Sequence, residues 1–302
     1  MISVQVLESI PYNSNSYPQK MTSHELALLW LNGQIWKIKN PEIPLVLFTD
    51  SDYLNFFESY NILDTWSSIN TDILNKDIDI EKTIFWSNSK FRVYKEINEP
   101  LLFMDCDLLV WGSINDWNIL NYDLVTSYRE ELTLSCYLNP ETFISEYPVN
   151  LISNWYEMPL NASLIYFGNQ QIKNRYTKIA LEWMKGCSIN NKNLNKYSVY
   201  FIEQRLLAEI AKLEKANQIT LLKNYNTDKG WNNTNLVDGL WSWEESFNHV
   251  FHIGYDKVCL RKGTKTYNDE YIKFFIDYIE KNCIEKGFEH LLPRFLELAF
   301  LY

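Results

Sequence analysis

The sequence predicts an α/β fold, a sheet buried between layers of helix, and three observations carry that expectation. Two apolar runs too short for helices, Leu45-Val46-Leu47-Phe48 and Leu101-Leu102-Phe103-Met104, have the unbroken hydrophobicity of strands covered on both faces. Segments with apolar residues at helical spacing alternate with them, the rhythm of a largely parallel sheet. Aspartates follow both runs, Asp50 after the first and Asp105 with Asp107 after the second. Acidic groups therefore lie beyond the carboxyl ends of strands, where open α/β sheets bind their ligands.

The elements follow in order. Val4-Gln5-Val6-Leu7 reads as the first strand and runs into a turn-prone stretch, Pro11-Tyr12-Asn13-Ser14-Asn15-Ser16. Thr22-Ser23-His24-Glu25 has the Ser/Thr-x-x-Glu form of a capping box, and Leu26, Leu29, Trp30 and Gly33 continue at helical spacing. Pro41 and Pro44 end that helix before the 45–48 strand. Thr49-Asp50-Ser51-Asp52 closes the strand and can cap the next helix. An amphipathic segment from Phe85-Trp86 to Tyr94 leads into the 101–104 strand. Further strands are predicted at 124–128, 162–167 and 219–222, and a helix over 201–213. Residues 271–300 read as one or two helices interrupted around Gly287 and Pro293. With no repeat and no linker, residues 1–302 are expected to form one domain, a core over about 1–258 with a helical segment over about 265–302.

Composition removes several function classes. A chain of 302 residues that is 46% hydrophobic and 16% aromatic can bury a large core, which excludes disorder. A net charge of −10 gives no electrostatic reason to approach nucleic acid or an anionic membrane. A phosphate-bearing substrate would need local help from a cation. The N-terminus lacks the basic and apolar segments of a signal peptide, and no transmembrane segment is apparent, so a soluble cytoplasmic protein is expected. Five widely spaced cysteines without a CxxC pair suggest reduced thiols rather than disulfides or a zinc site. No glycine pattern for a P-loop or a dinucleotide fingerprint is present.

The chemistry concentrates at Asp105-Cys106-Asp107. Residues two apart on a strand share a side, so both carboxylates can face one ligand. Two hard oxygen donors suit Mn²⁺ or Mg²⁺, which keep waters and share phosphate oxygens. Asp50-Ser51-Asp52 and Asp77-Ile78-Asp79 repeat the pattern, but capping accounts for at least one aspartate of the first and a solvated loop or a helix start for the second. Only the 105–107 pair is flanked by apolar runs on both sides, where carboxylates are costly without a compensating charge. The bland account is a turn whose carboxylates are solvated or paired with Lys90 or Arg92.

These residues resemble a family. Phe85-Trp86-Ser87-Asn88-Ser89-Lys90-Phe91 followed by Pro100 to Val110 is similar to the segment of GT-A glycosyltransferases in which a helix with a basic residue precedes a strand ending in Asp-x-Asp. Phe251-His252-Ile253-Gly254-Tyr255-Asp256-Lys257 resembles the His-x-Gly-x-x-Lys signature of retaining, glycogenin-like and galactosyltransferase-like members. Val258-Cys259 stand where those members carry Pro-Trp. Asn161-Ala162-Ser163 resembles the family's strand beside the donor sugar, and Glu203-Gln204 its acidic pair near the reaction centre. The resemblance implies a GT-A, Rossmann-like mixed sheet flanked by helices, with Asp105, Asp107 and His252 holding Mn²⁺ or Mg²⁺. Lys90 or Arg92, together with Asp105, Asp107, Asn161 and Lys257, would bind the donor, and Glu203 and Gln204 would serve catalysis. It implies transfer of a sugar from a nucleotide-sugar donor, a UDP-sugar, to a glycan or other hydroxyl acceptor with retention. His249 has no assigned role.

Two other classes remain open from the sequence. A sugar nucleotidyltransferase would place a glycine-rich loop after its first strand, where Ser9-Ile10-Pro11-Tyr12 has no glycine. A noncatalytic carbohydrate- or nucleotide-sugar-binding protein would not need intact metal ligands.

Overall fold

The structure is a computed structural model that describes residues 1–9, 21–130, 155, 157–190, 198–223, 225–226, 230–231, 239–253 and 268–301. In the first half, β1 (Ile2–Leu7), α1 (Ser23–Lys39), β2 (Leu45–Thr49), α2 (Ser51–Ser59), β3 (Ser68–Asn70), α3 (Asn88–Glu96) and β4 (Leu101–Met104) alternate strand and helix. Then follow β5 (Leu108–Val110), β6 (Leu124–Thr126), β7 (Leu164–Phe167) and α4 (Gln170–Asn190). A continuous helical run comprises α5 (Ser198–Tyr200), a π-helical turn at Phe201–Arg205 and α6 (Leu206–Leu213). The rest is β8 (Gln218–Leu222), β9 (Tyr225–Asn226), β10 (Gly230–Trp231), β11 (Gly239–Trp241), α7 (Trp243–Ser246), β12 (Val250–His252), α8 (Asp269–Glu285) and α9 (Leu292–Ala299). The turn-prone 11–16 stretch lies outside the described residues.

The expected α/β architecture is present as a mixed eight-stranded sheet in the order β11-β8-β6-β7-β4-β1-β2-β3. Neighbours pair in parallel except at β7, which runs antiparallel to β4 and β6. The order reverses between β1 and β4: the chain first builds outward through β2 and β3, then returns to the other side of β1. A crevice opens beyond the carboxyl ends of strands at such a switch point.

Alternate side chains of the central strands enter two separate cores. Leu45, Leu47, Leu102 and Met104 join one, with residues of α1, α8 and α9; Val46, Phe48, Leu101 and Phe103 join the other, with residues of α3, α4 and α6. Burial on both faces explains why these strands are unbroken apolar runs. The outer layer also explains α1. Thr22 and Glu25 form the predicted capping box, with bonds of 3.1 and 2.8 Å. The helix is not amphipathic, however: every residue from Leu26 to Leu31 is buried, because α9 lies over its far side and Ser23 Oγ donates to Ala299 O at 2.8 Å.

Asp50 caps α2 by accepting from Tyr53 N at 3.0 Å, and it also accepts from Ser9 N at 2.6 Å. Asp77 and Asp79 lie outside helix and strand, and the exposed Asp79 pairs with Lys185 at 2.9 Å. At the C-terminus the break falls at Gly287, in the left-handed region at φ 77°. Pro293 does not interrupt a helix; it occupies the first turn of α9, where its missing N–H has no partner to lose.

Candidate metal centre

The site grows from the end of β4. Beyond Met104 the strand pairing with β7 continues for one bond, Asp105 N to Ser163 O at 2.7 Å, and Leu108 N then closes a turn onto Asp105 O at 3.2 Å. The turn feeds β5, which pairs antiparallel with β12 and sets His252 opposite Leu108. Ile253 N donates to Asp107 O at 3.2 Å, and Trp111 N to His249 O at 2.8 Å, extending the ribbon at both ends. This ladder carries a histidine from far along the chain to the aspartate turn.

One ligand atom from each of Asp105, Asp107 and His252 falls within 4.8 Å of the others. His252 Nε2 stands 3.4 Å from Asp107 Oδ1. Asp107 is only 8% exposed, so its charge is largely withdrawn from water and calls for a counter-charge. Two carboxylates and an imidazole, converging beyond the end of β4, suit a hard or borderline divalent ion.

Lys90, on the first turn of α3, reaches the same place. Its Nζ lies 2.9 Å from Asp105 Oδ1 and 2.5 Å from Glu203 Oε1, over the Phe103 ring at 4.6 Å from the centroid. Burial alone would push its pKa down, but the Asp105 and Glu203 carboxylates outweigh that and hold it above the usual lysine range. It is therefore a fixed positive charge between two anions.

Glu203 and Gln204 belong to the π-helical turn, a rare feature that displaces carbonyls from the regular ladder and recurs at functional sites. Tyr176 OH donates to Glu203 O at 2.5 Å, and Leu160 N to Gln204 O at 3.2 Å. The π-turn thus ties Glu203 to the Lys90 cluster and Gln204 to the backbone leading into β7. Asn161 lies on that backbone. Its Nδ2 donates to Tyr128 OH at 3.0 Å and to Glu130 Oε1 at 2.8 Å, and its Oδ1 accepts from Ser163 N at 3.0 Å.

The structure therefore brings Lys90, Asp105, Asp107, His252 and Glu203 into one cluster, with Asn161 and Gln204 linked to it through backbone. Arg92 is elsewhere: it pairs with Glu8 at 3.1 Å, donates to Lys76 O at 2.7 Å and also bonds Ile73 O. It anchors the segment after β3 beneath the end of β1. Lys257 and Gly254 lie outside the described residues. His249 stacks on Trp241 at 4.1 Å between centroids, and burial pushes its pKa down, so it packs as a neutral aromatic.

The sequence does not single out Tyr176, Phe103 as the seat of Lys90, or the Tyr128 and Glu130 partners of Asn161. Tyr176 and Phe103 read as ordinary core residues, and they are buried. For the third, the signal in the sequence is a tyrosine and a glutamate two apart beyond the end of β6.

No protein-family model and no curated protein matches the chain. Solved structures similar to it include glycosyltransferases. One is the galactosyltransferase LgtC in complex with donor and acceptor sugar analogs, at 12% identity over 91% of this chain and 95% of that one, with a TM-score of 0.45. Another is the bifunctional glycosyltransferase WbbM, at 10% identity over 92% and 49%, TM-score 0.42. A third is the glycosyltransferase GlyE of Streptococcus pneumoniae, at 12% identity over 73% and 44%, TM-score 0.38. Among the described residues, no helix is long and apolar enough to cross a membrane.

Proposed function

We propose that the protein is a metal-dependent glycosyltransferase that moves a sugar from a nucleoside-diphosphate donor, a UDP-sugar, to a hydroxyl of a glycan or similar acceptor. The observation that supports it above all is the convergence of Asp105, Asp107 and His252 beside Lys90 at the sheet's switch point. This donor set fits Mn²⁺ or Mg²⁺. Such an ion, when bound, supplies charge neutralisation and Lewis acidity to a diphosphate leaving group.

The chain's own residues do the rest. Asp105, Asp107 and His252 hold the ion, and Lys90 offers an ammonium to the oxygens of the departing diphosphate, as transition-state charge stabilisation requires. Asn161 orients the donor sugar, and Lys257 is a further diphosphate ligand by resemblance. Glu203 is already bonded to Lys90 at 2.5 Å, and a carboxylate so engaged is a poor base for the acceptor hydroxyl. That favours retention, in which the leaving phosphate takes the acceptor proton and Glu203 and Gln204 line the reaction centre. A cytoplasmic location fits the scattered cysteines of the sequence.

Calorimetric titration of UDP with Mn²⁺ and with chelator, on the wild type and on Asp107→Asn, tests the reading. Saturable binding that requires the metal and is lost in the variant is expected. Folded protein that binds none of UDP, GDP and CDP would leave the 105–107 turn as a structural feature neutralised by Lys90.

A further inference from the structure

Lys90 touches one of the three candidate metal ligands directly, and that contact has consequences for how the site loads. Its Nζ lies 2.9 Å from Asp105 Oδ1, the remaining partner is Glu203 at 2.5 Å, and the ammonium is mostly buried on the Phe103 ring. An ammonium and a divalent cation sharing one carboxylate lie a few ångströms apart, and like charges at that separation repel strongly where water is excluded. Asp105 cannot serve both at full strength.

We propose that Lys90 couples metal binding to diphosphate binding, by competing for Asp105 until an anion gives its ammonium another partner. The inference rests on the reading of Asp105, Asp107 and His252 as metal ligands. Without nucleotide, Lys90 holds Asp105 and weakens the metal site. With a diphosphate present, Lys90 turns its ammonium to the phosphate oxygens, keeps Glu203 as its anchor, and leaves Asp105 to the metal. The phosphate thereby strengthens metal binding, and by thermodynamic reciprocity the metal strengthens phosphate binding by the same factor. The arrangement also stops Asp105 and Glu203 from facing each other without a counter-charge. Glu203 is fixed for this task by the π-turn, whose carbonyl is held by Tyr176 OH.

The test measures Mn²⁺ affinity by the paramagnetic resonance signal of free manganese, with and without saturating UDP, for the wild type and for Lys90→Met. Wild-type affinity is expected to rise about tenfold or more on adding UDP. Lys90→Met should bind Mn²⁺ about tenfold more tightly than wild type without nucleotide, and should show a smaller UDP-dependent gain. Equal Mn²⁺ affinities for the two proteins, with Asp107→Asn abolishing both, would overturn the coupling while leaving the metal site intact. No manganese binding by either protein, with or without UDP, would overturn the metal site and the coupling with it. Should Lys90→Met not fold, Lys90→Gln carries the same comparison, and an absence of UDP-dependent gain in the wild type alone overturns the proposal.

Discussion

A single buried charge shows how far residue-level physics reaches. Lys173, on α4, has no exposed surface, and its ammonium donates to Ile97 O. Burial pushes its pKa down to about 8, against roughly 10.4 in an unfolded chain. Between those values the unfolded state binds more protons, so stability rises as pH climbs through that window. Relative to Lys173→Met, the wild type should gain up to about 3 kcal/mol from pH 7.5 to 10, read from urea midpoints. Parallel pH profiles for the two proteins would show that the amine stays charged in the fold. Nothing in the sequence marks this lysine, because Gln171 and Asn174 beside it are polar and only the packing of α4 against α3 encloses it. Asp105 and Asp107 are the opposite case. Their apolar flanks alone show that two carboxylates stand where charge is costly.

At the scale of elements, local signals predict ends better than environments. The capping box at Thr22 is legible in four residues, and Thr22→Ala should cost about 1 kcal/mol in denaturant unfolding. Gly33 in the same helix demands a larger penalty: a Cβ there would meet Thr65 Cγ2 at 2.2 Å and Thr65 O at 2.7 Å. Gly33→Ala is expected to destabilise by about 1–3 kcal/mol, because backbone must shift to admit the methyl. A cost near zero would mean that the segment at Thr65 moves freely. Helical spacing showed Leu26, Leu29, Trp30 and Gly33 as one buried face, but the burial of the other faces depends on α9 from the far end of the chain. The 201–213 helix was equally legible, whereas its π-turn was not. The carbonyls that turn displaces are taken up by Tyr176 and Leu160, distant residues that no local pattern announces.

For the whole molecule, the C-terminal helices share their core with the sheet: Phe295 and Leu298 of α9 lie in the same buried cluster as Leu29, Leu47 and Met104. Phe295→Ala should therefore lower global stability by about 3–5 kcal/mol. Unfolding should remain one transition by circular dichroism and tryptophan fluorescence, whereas a separate early step in the variant would mark the C-terminal helices as an independent unit. The α/β architecture, the parallel start of the sheet and the aspartates at its strand ends follow from the sequence alone, because burial on both faces leaves a continuous apolar run and strand ends leave polar ones. The tertiary structure decided which of those charges meet. His252 reaches Asp107 only through the register of β12 on β5, and a slip of one residue would turn the imidazole to the opposite face. Lys90, rather than Arg92, faces the turn because the two point to different sides of α3, one to Asp105 and the other to Glu8. Such pairings are set by non-local registers and helix rotations, whose free energy is spread over whole interfaces and is carried by no local stretch of residues.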